Sequence, residues 1–296
     1  MNQTEPSPSE QGLWVCHLGT IPYREALQLQ LLIRDLRLAD ELPDTLLLLE
    51  HPPVYTRGRR SRPEELALGE SYYRARGIEI VDTDRGGRVT YHGPGQLVGY
   101  SIMRVTDVGV HLRRMEAAIV AALAGHGIAA RSRCEEGPDY TGVWVAERKI
   151  ASIGVHVSRG VSTHGFAINL TTDLQPFDWI VACGLPDVRM TSLAHELPDT
   201  AGAIDAGAFR VLTARCLGEA HGRTVCAVSP AELCLRAGHT GLLGATTAER
   251  LAPTAPRRRD RTSRPDGLGA TGGCEDAAQK YPTHTPDRGP LRGALA

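Results

Sequence analysis

Side chains able to do acid–base or nucleophilic chemistry at neutral pH are few and unevenly placed in this sequence. The segment RGGRVTYHGPGQ, from Arg85 to Gln96, puts four glycines, a proline, two arginines and a histidine into twelve residues. Glycine reaches positive φ and lets a ligand approach the main chain. Two tight turns would account for the glycines. They would not account for Arg85, Tyr91, His92 and Gln96 gathered beside them, a set that suits a loop lining a ligand site. The spacing is neither G-x-x-x-x-G-K-[ST] nor G-x-G-x-x-G, so the usual phosphate cradles are absent. Only two lysines occur, Lys149 and Lys280. The arginines that supply the remaining fixed positive charge do not act as bases at neutral pH, which makes Lys149 conspicuous, although a solvated turn residue would look the same.

Seven cysteines include no C-x-x-C pair, which argues against a disulfide framework or a zinc knuckle. Cys183 follows Trp179-Ile180-Val181 and precedes Gly184-Leu185-Pro186. A strand-to-turn junction of that kind can present a side chain at the edge of a site. A thiolate there is a nucleophile; a small buried apolar residue is the other reading of a free cysteine. Cys16 falls in an expected first strand and Cys216 on a late helix. Cys134, Cys226 and Cys234 lack a convincing base nearby in sequence.

The elements that must position these groups mix helix and strand. Residues 22–38 carry Leu27, Leu31, Leu32 and Ile33 at helical spacing, with Pro22 suited to the first turn. Residues 45–50 hold four consecutive leucines and stop at His51-Pro52-Pro53, a buried strand. Strands are expected at 78–81 and 97–105, flanking the glycine loop. An alanine-rich helix is expected at 110–125, closed by Gly125 and Gly127. Strands at 142–145, 150–157 and 162–170, joined by short turns, predict an antiparallel meander. A last helix is expected near 204–218. Strands and helices do not alternate strictly, so the fold class is α+β with a mixed sheet flanked by helices.

Composition is that of a soluble globular protein, with 42% hydrophobic and 23% charged residues. The net charge of −1 argues against a nucleic-acid binder. No apolar run approaches eighteen residues, so no membrane span is expected. The polar start MNQTEPSPSEQG lacks the layout of a signal peptide, and a cytoplasmic protein is expected. From Ser229 onward there is no Val, Ile, Met, Phe or Trp. The expected organisation is a flexible N-terminus (1–11), one catalytic domain (12–237) and a low-complexity, disordered tail (238–296).

RGGRVTYHGPGQ resembles the signature of the lipoyl(octanoyl) transferases. Three further blocks resemble that family in the same order: Lys149-Ile150-Ala151-Ser152-Ile153-Gly154, His164-Gly165-Phe166-Ala167-Ile168-Asn169-Leu170 and Ile180-Val181-Ala182-Cys183-Gly184-Leu185. Ala182 stands where the family commonly has proline. The resemblance implies the catalytic fold of biotin and lipoate protein ligases. It implies a Cys183/Lys149 catalytic pair, with octanoyl carried from acyl carrier protein as a Cys183 thioester. The acceptors implied are lipoyl domains of 2-oxo acid dehydrogenase E2 subunits and the glycine cleavage H protein. It implies a substrate channel lined by Arg85, Gly86, Gly87, Arg88, Val89, Thr90, Tyr91 and His92, with walls from Ser152, Ile153, Gly154, Gly165, Phe166 and Ala167. His164 and Asn169 read as supporting groups. No cofactor or metal is implied.

The chemistry is consistent in itself. Thioester exchange onto cysteine is nearly isoenergetic and amide formation is downhill, so the transfer needs no ATP. A neighbouring ammonium favours a thiolate, and the same amine can serve as general base. Two rivals remain at this level: an ATP-dependent lipoate or biotin ligase, and a non-catalytic carrier-binding module. The run Thr56-Arg57-Gly58-Arg59-Arg60-Ser61-Arg62 suggests a docking surface for an acidic carrier; a solvated loop would look the same.

Overall fold

A computed structural model describes residues 12–185, 188–198 and 203–238. The expected flexible N-terminus and nearly all of the expected tail lie outside the described residues. Described residues all belong to one compact unit.

In chain order the elements are β1 (Gly12–Thr20), α1 (Tyr23–Leu38), β2 (Asp44–Glu50), β3 (Val54–Arg57), α2 (Glu70–Arg74), β4 (Glu79–Asp82), β5 (Thr90–His92), β6 (Gln96–Ile102), α3 (Val108–Ala124), β7 (Arg131–Ser132), β8 (Gly142–Val145), β9 (Arg148–Ser158), β10 (Val161–Asn169), β11 (Arg189–Met190), α4 (Leu193–Glu196), α5 (Ala206–His221), β12 (Thr224–Val228) and α6 (Pro230–Arg236). A nine-stranded mixed sheet runs β12-β1-β2-β6-β10-β9-β8-β7, with β11 pairing β9. A second sheet has the order β4-β3-β5.

The leucine run of β2 shows why the large sheet is covered on both faces. Successive side chains on a strand point to opposite faces. Leu46 and Leu48 enter a core with Met115 and Ile119 of α3 and Phe209 and Leu217 of α5. Leu47 and Leu49 enter the opposite core with Ala26, Leu29 and Ile33 of α1 and Leu233 of α6. A third core, around Tyr55, Tyr73, Val89, Tyr91 and Phe177, belongs to the small sheet.

The meander expected over 142–170 forms as β8-β9-β10. The strands expected to flank the glycine loop both form, in different sheets, β4 in the small one and β6 in the large one. The glycine segment therefore crosses between sheets, and its middle, Thr90–His92, is itself strand β5. β3, only four residues long, was not expected, nor was the exposed edge strand β12. The helix expected at 204–218 runs on to His221, where Gly222 at φ 65° closes it. It is not the last, because α6 follows. Pro22 caps α1 and lies just outside its first turn. No described helix is long and apolar enough to cross a membrane.

Candidate active site

Lys149 is the second residue of β9 and is 1% exposed. Its side chain runs over Gly142 of the adjoining strand β8. A Cβ at Gly142 would stand 2.8 Å from Lys149 Cε and 2.4 Å from the Ala151 carbonyl oxygen, at a φ of +140°. The path of the lysine thus requires glycine at 142. The amine nitrogen lies 5.2 Å from the centre of the Trp144 ring and 3.4 Å from Cys183 Sγ, within hydrogen-bond reach.

Cys183 occupies the middle of a one-turn 3₁₀ segment, Ala182–Gly184, in the left-handed region at φ 59°, ψ 11°. Such a conformation costs energy in a residue with a Cβ and is found where surrounding contacts enforce it. Three contacts do so here. Cys183 N–H donates to the Val89 carbonyl at 3.1 Å, and Val181 N–H donates to the Glu65 carbonyl at 3.1 Å. The Arg88 side chain crosses Gly184, where a Cβ would fall 2.0 Å from Arg88 Cδ, and pairs with buried Glu65 at 2.8 Å. Downstream, β11 pairs in parallel with Arg148 and Lys149, and Thr191 N–H donates to the Lys149 carbonyl at 2.9 Å. Ser152 Oγ sits 3.9 Å from the sulfur. The segment carrying the thiol is therefore tied both to the small sheet and to the strand that carries the amine.

The glycine loop lies flat on the large sheet. Gly86 N–H donates to the Val155 carbonyl at 2.9 Å, and a Cβ at Gly154 would approach Gly86 O to 2.9 Å. Arg85 is buried and gives its guanidinium hydrogens to Thr56 O at 2.6 Å, Thr56 Oγ1 at 2.7 Å and Gly86 O at 3.0 Å. Burial without a carboxylate on these hydrogens lowers its pKa.

A polar chain continues from there. The Thr56 hydroxyl lies 3.4 Å from His92 Nε2, and His92 Nδ1 lies 2.7 Å from Gln96 Oε1. Gln96 Nε2 donates to Asn169 Oδ1 at 2.9 Å, and Asn169 Nδ2 donates to the Thr191 carbonyl at 2.9 Å. Gln96 Oε1 can only accept, so His92 carries its proton on Nδ1; burial holds its pKa far below the usual value. His164 is 2% exposed, at φ 60°, with Nε2 2.7 Å from Asp84 Oδ1. That hydrogen bond draws the Asp84 pKa down to about 2.

These groups surround one pocket, of about 620 Å³ with its solvent-open mouth included. Lys149 and Cys183 line it together. So do Arg85, Gly86, Gly87, Arg88, Thr90 and His92 of the loop, and Ser152, Ile153, Gly154, Gly165, Phe166 and Ala167 of the walls. Phe166 and Ile153 turn their side chains to the α3/α5 core and bring main chain to the wall. Val89 and Tyr91, expected in the channel, do not line the pocket. Strand alternation sends them into the small-sheet core, where the Tyr91 and Phe177 rings are 5.5 Å apart. Val89 serves through its carbonyl instead. The run at 57–62 divides. Arg57 pairs with Asp82 and Glu70 at 2.6 and 2.8 Å, Arg60 pairs with Asp139 at 2.9 Å on the pocket rim, and Arg59 and Arg62 are exposed. Gly142, Tyr23, Tyr100 and Asp84 were not expected at the site. Gly142, Tyr23 and Tyr100 are placed by strand register or helix packing, and Asp84 by its hydrogen bond to His164 across 80 residues, none of which local sequence encodes.

The model of the lipoyl protein ligase A/B catalytic domain family matches residues 22–209. The octanoyltransferase of Rubrobacter xylanophilus is 50% identical over 183 residues, 60% of this chain and 81% of that protein. That of Mycobacterium ulcerans is 46% identical over 206 residues, 66% of this chain and 83% of that protein. Among solved structures, a lipoate-protein ligase A bound with ATP superposes with a TM-score of 0.61 at 18% identity, over 77% of this chain and 93% of that one. A bipartite lipoate protein ligase from Thermoplasma acidophilum gives 0.58 at 17% identity, over 77% and 91%. The mixed sheet expected from sequence is thus the lipoate-ligase fold.

Proposed function

Because this chain belongs to the lipoyl protein ligase A/B catalytic domain family, and its curated relatives at 42–50% identity are octanoyltransferases, we propose that it works through a Cys183 thioester with Lys149 as proton carrier. Its activity is octanoyl transfer for protein lipoylation, from an acyl donor to a lipoyl-domain acceptor. The observation that carries the mechanism is the 3.4 Å contact between Lys149 Nζ and Cys183 Sγ inside the pocket.

The steps balance without an external base. Cys183 passes its proton to Lys149, and the thiolate attacks the carbonyl carbon of the donor thioester. The bond to the donor sulfur breaks, and that sulfur leaves with the proton held by Lys149. The acceptor lysine amine then attacks the Cys183 thioester. Lys149 takes a proton from the amine, the amide forms, and the proton returns to the Cys183 sulfur. Ser152 Oγ, 3.9 Å from the sulfur, is placed to donate to it as charge builds. Acyl carrier protein is the donor proposed, and lipoyl domains of 2-oxo acid dehydrogenase E2 subunits and the glycine cleavage H protein are the acceptors.

The experiment is octanoyl-carrier mixed with enzyme and no ATP, followed by intact-mass analysis. Wild type should gain one octanoyl group, removable by hydroxylamine, and deliver it to a lipoyl domain. Cys183→Ser should gain none as a thioester, and Lys149→Ala should load and transfer at least about 10²-fold more slowly. An ATP requirement, or undiminished transfer by Cys183→Ser, would overturn the mechanism.

A further inference from the structure

The pocket has an open end and a closed one. At the rim, the Arg60 and Asp139 side chains are 45% and 31% exposed. At the other end, Tyr23, Val98, Tyr100 and His164 are each 3% exposed or less. Protein arms enter at the rim, so an acyl tail held on Cys183 points toward the closed end.

On the large-sheet side the pocket between thiol and closed end is walled by small and apolar residues, with Arg85, Thr90 and His92 lining it as well. That wall is made of Ala167 and Gly165 on β10, Val98 on β6 and Gly154 on β9. Strand register gives its length. Ser152, 3.9 Å from the sulfur, pairs with Ala167. His164 lies three residues further along β10, roughly 10 Å at about 3.3 Å per residue. An extended eight-carbon acyl chain has seven carbon–carbon bonds of ~1.5 Å in zigzag, which span about 9 Å. The two lengths are of the same order.

His164 is held in place rather than merely present. Its Nε2 meets Asp84 Oδ1 at 2.7 Å, and its main-chain N–H donates to Gln30 Oε1 on α1 at 2.7 Å. Its φ of 60° is a conformation that surrounding contacts must enforce. Its Nδ1 is buried with no hydrogen-bond partner, so Asp84 alone anchors the ring through a side-chain hydrogen bond. Burial lowers its pKa, which keeps the end wall uncharged and compatible with a terminal methyl group. We propose that His164, clamped by Asp84, is the stop that sets acyl length at eight carbons. This rests on the octanoyl-transfer reading above and names the residue that would enforce it.

The test is a competition among hexanoyl-, octanoyl-, decanoyl- and dodecanoyl-carrier, read by the mass of acyl groups on the acceptor lipoyl domain. Wild type should favour octanoyl. His164→Gly, which also suits the positive φ, should raise the decanoyl-to-octanoyl ratio of kcat/KM at least about tenfold, as expected when two further methylenes are buried. Asp84→Ala, at a side chain 46% exposed, frees the ring without opening the core and should move the ratio the same way by less. If both variants melt cooperatively yet keep the wild-type chain-length profile, the stop is elsewhere. Should His164→Gly not fold, Asp84→Ala decides alone. If wild type transfers no octanoyl group at all, it is the octanoyl-transfer reading that fails, not the assignment of the stop.

Discussion

Gly142→Ala tests whether the amine is placed by the strand beside it. The new methyl would stand 2.4 Å from the Ala151 carbonyl oxygen, 2.8 Å from Lys149 Cε and 3.4 Å from Nζ. The carbonyl belongs to a paired strand and cannot retreat far, so the β8 main chain at 142 must shift, and the lysine side chain packed on it must move as well. A φ of +140° adds strain, about 1–3 kcal/mol, for any residue with a Cβ. Clearing the methyl pushes the amine by the order of 1 Å from its 3.4 Å contact with the thiol, and misplacement on that scale costs about 10²-fold in rate. The expected variant is folded, melts some degrees lower, and transfers octanoyl about 10²-fold more slowly with its donor KM little changed. Single-turnover loading of Cys183, followed by intact mass beside a thermal melt, separates the two effects. A folded Gly142→Ala protein loading within about threefold of the wild-type rate would refute the claim that glycine at 142 positions the amine.

Two further outcomes follow from groups around the pocket. Burial pulls the His51 pKa from 6.5 down to about 4. The unfolded chain takes that proton near pH 6.5 and the folded one only near pH 4, so falling pH favours unfolding across this window. The one group should remove about 3 kcal/mol between pH 7 and pH 4, and His51→Gln should lose that much less in urea titrations at the two pH values; an equal loss would show that His51 is not the group responsible. Arg59→Glu with Arg62→Glu changes the two exposed arginines of the 57–62 run not engaged with Asp82, Glu70 or Asp139. It should raise KM for the carrier and flatten its salt dependence with kcat unchanged, and unaltered kinetics would remove the docking role.

What could be read from sequence was what local pattern encodes. The leucine run at 46–49 announced a strand buried on both faces, and the 142–170 alternation announced the meander. Rarity singled out Lys149 and a strand-to-turn junction pointed to Cys183, but joining the two as a pair came from the family blocks, because spatial proximity across 34 residues leaves no local trace. Gly142 was unreadable for the same reason. Its requirement arises from the register of β8 on β9, whose irregularity falls at Val143 and Trp144. Val89 and Tyr91 were misplaced because a glycine-rich segment was read as loop, whereas Thr90–His92 is strand and alternates. β12 and α6 were missed because short, exposed elements carry little apolar periodicity.

Before the thiol its segment is held by Val89 and Glu65, beside the small sheet, and after it by β11 on β9, whereas the amine is built into the large sheet itself. Their separation therefore reports how those two bodies seat on each other. Mild perturbation that slides one sheet against the other would part sulfur from nitrogen while every helix stayed intact. Catalytic silence would then arrive well before any spectroscopic sign of melting, and a reagent wedged between the sheets could inhibit without touching either reacting atom.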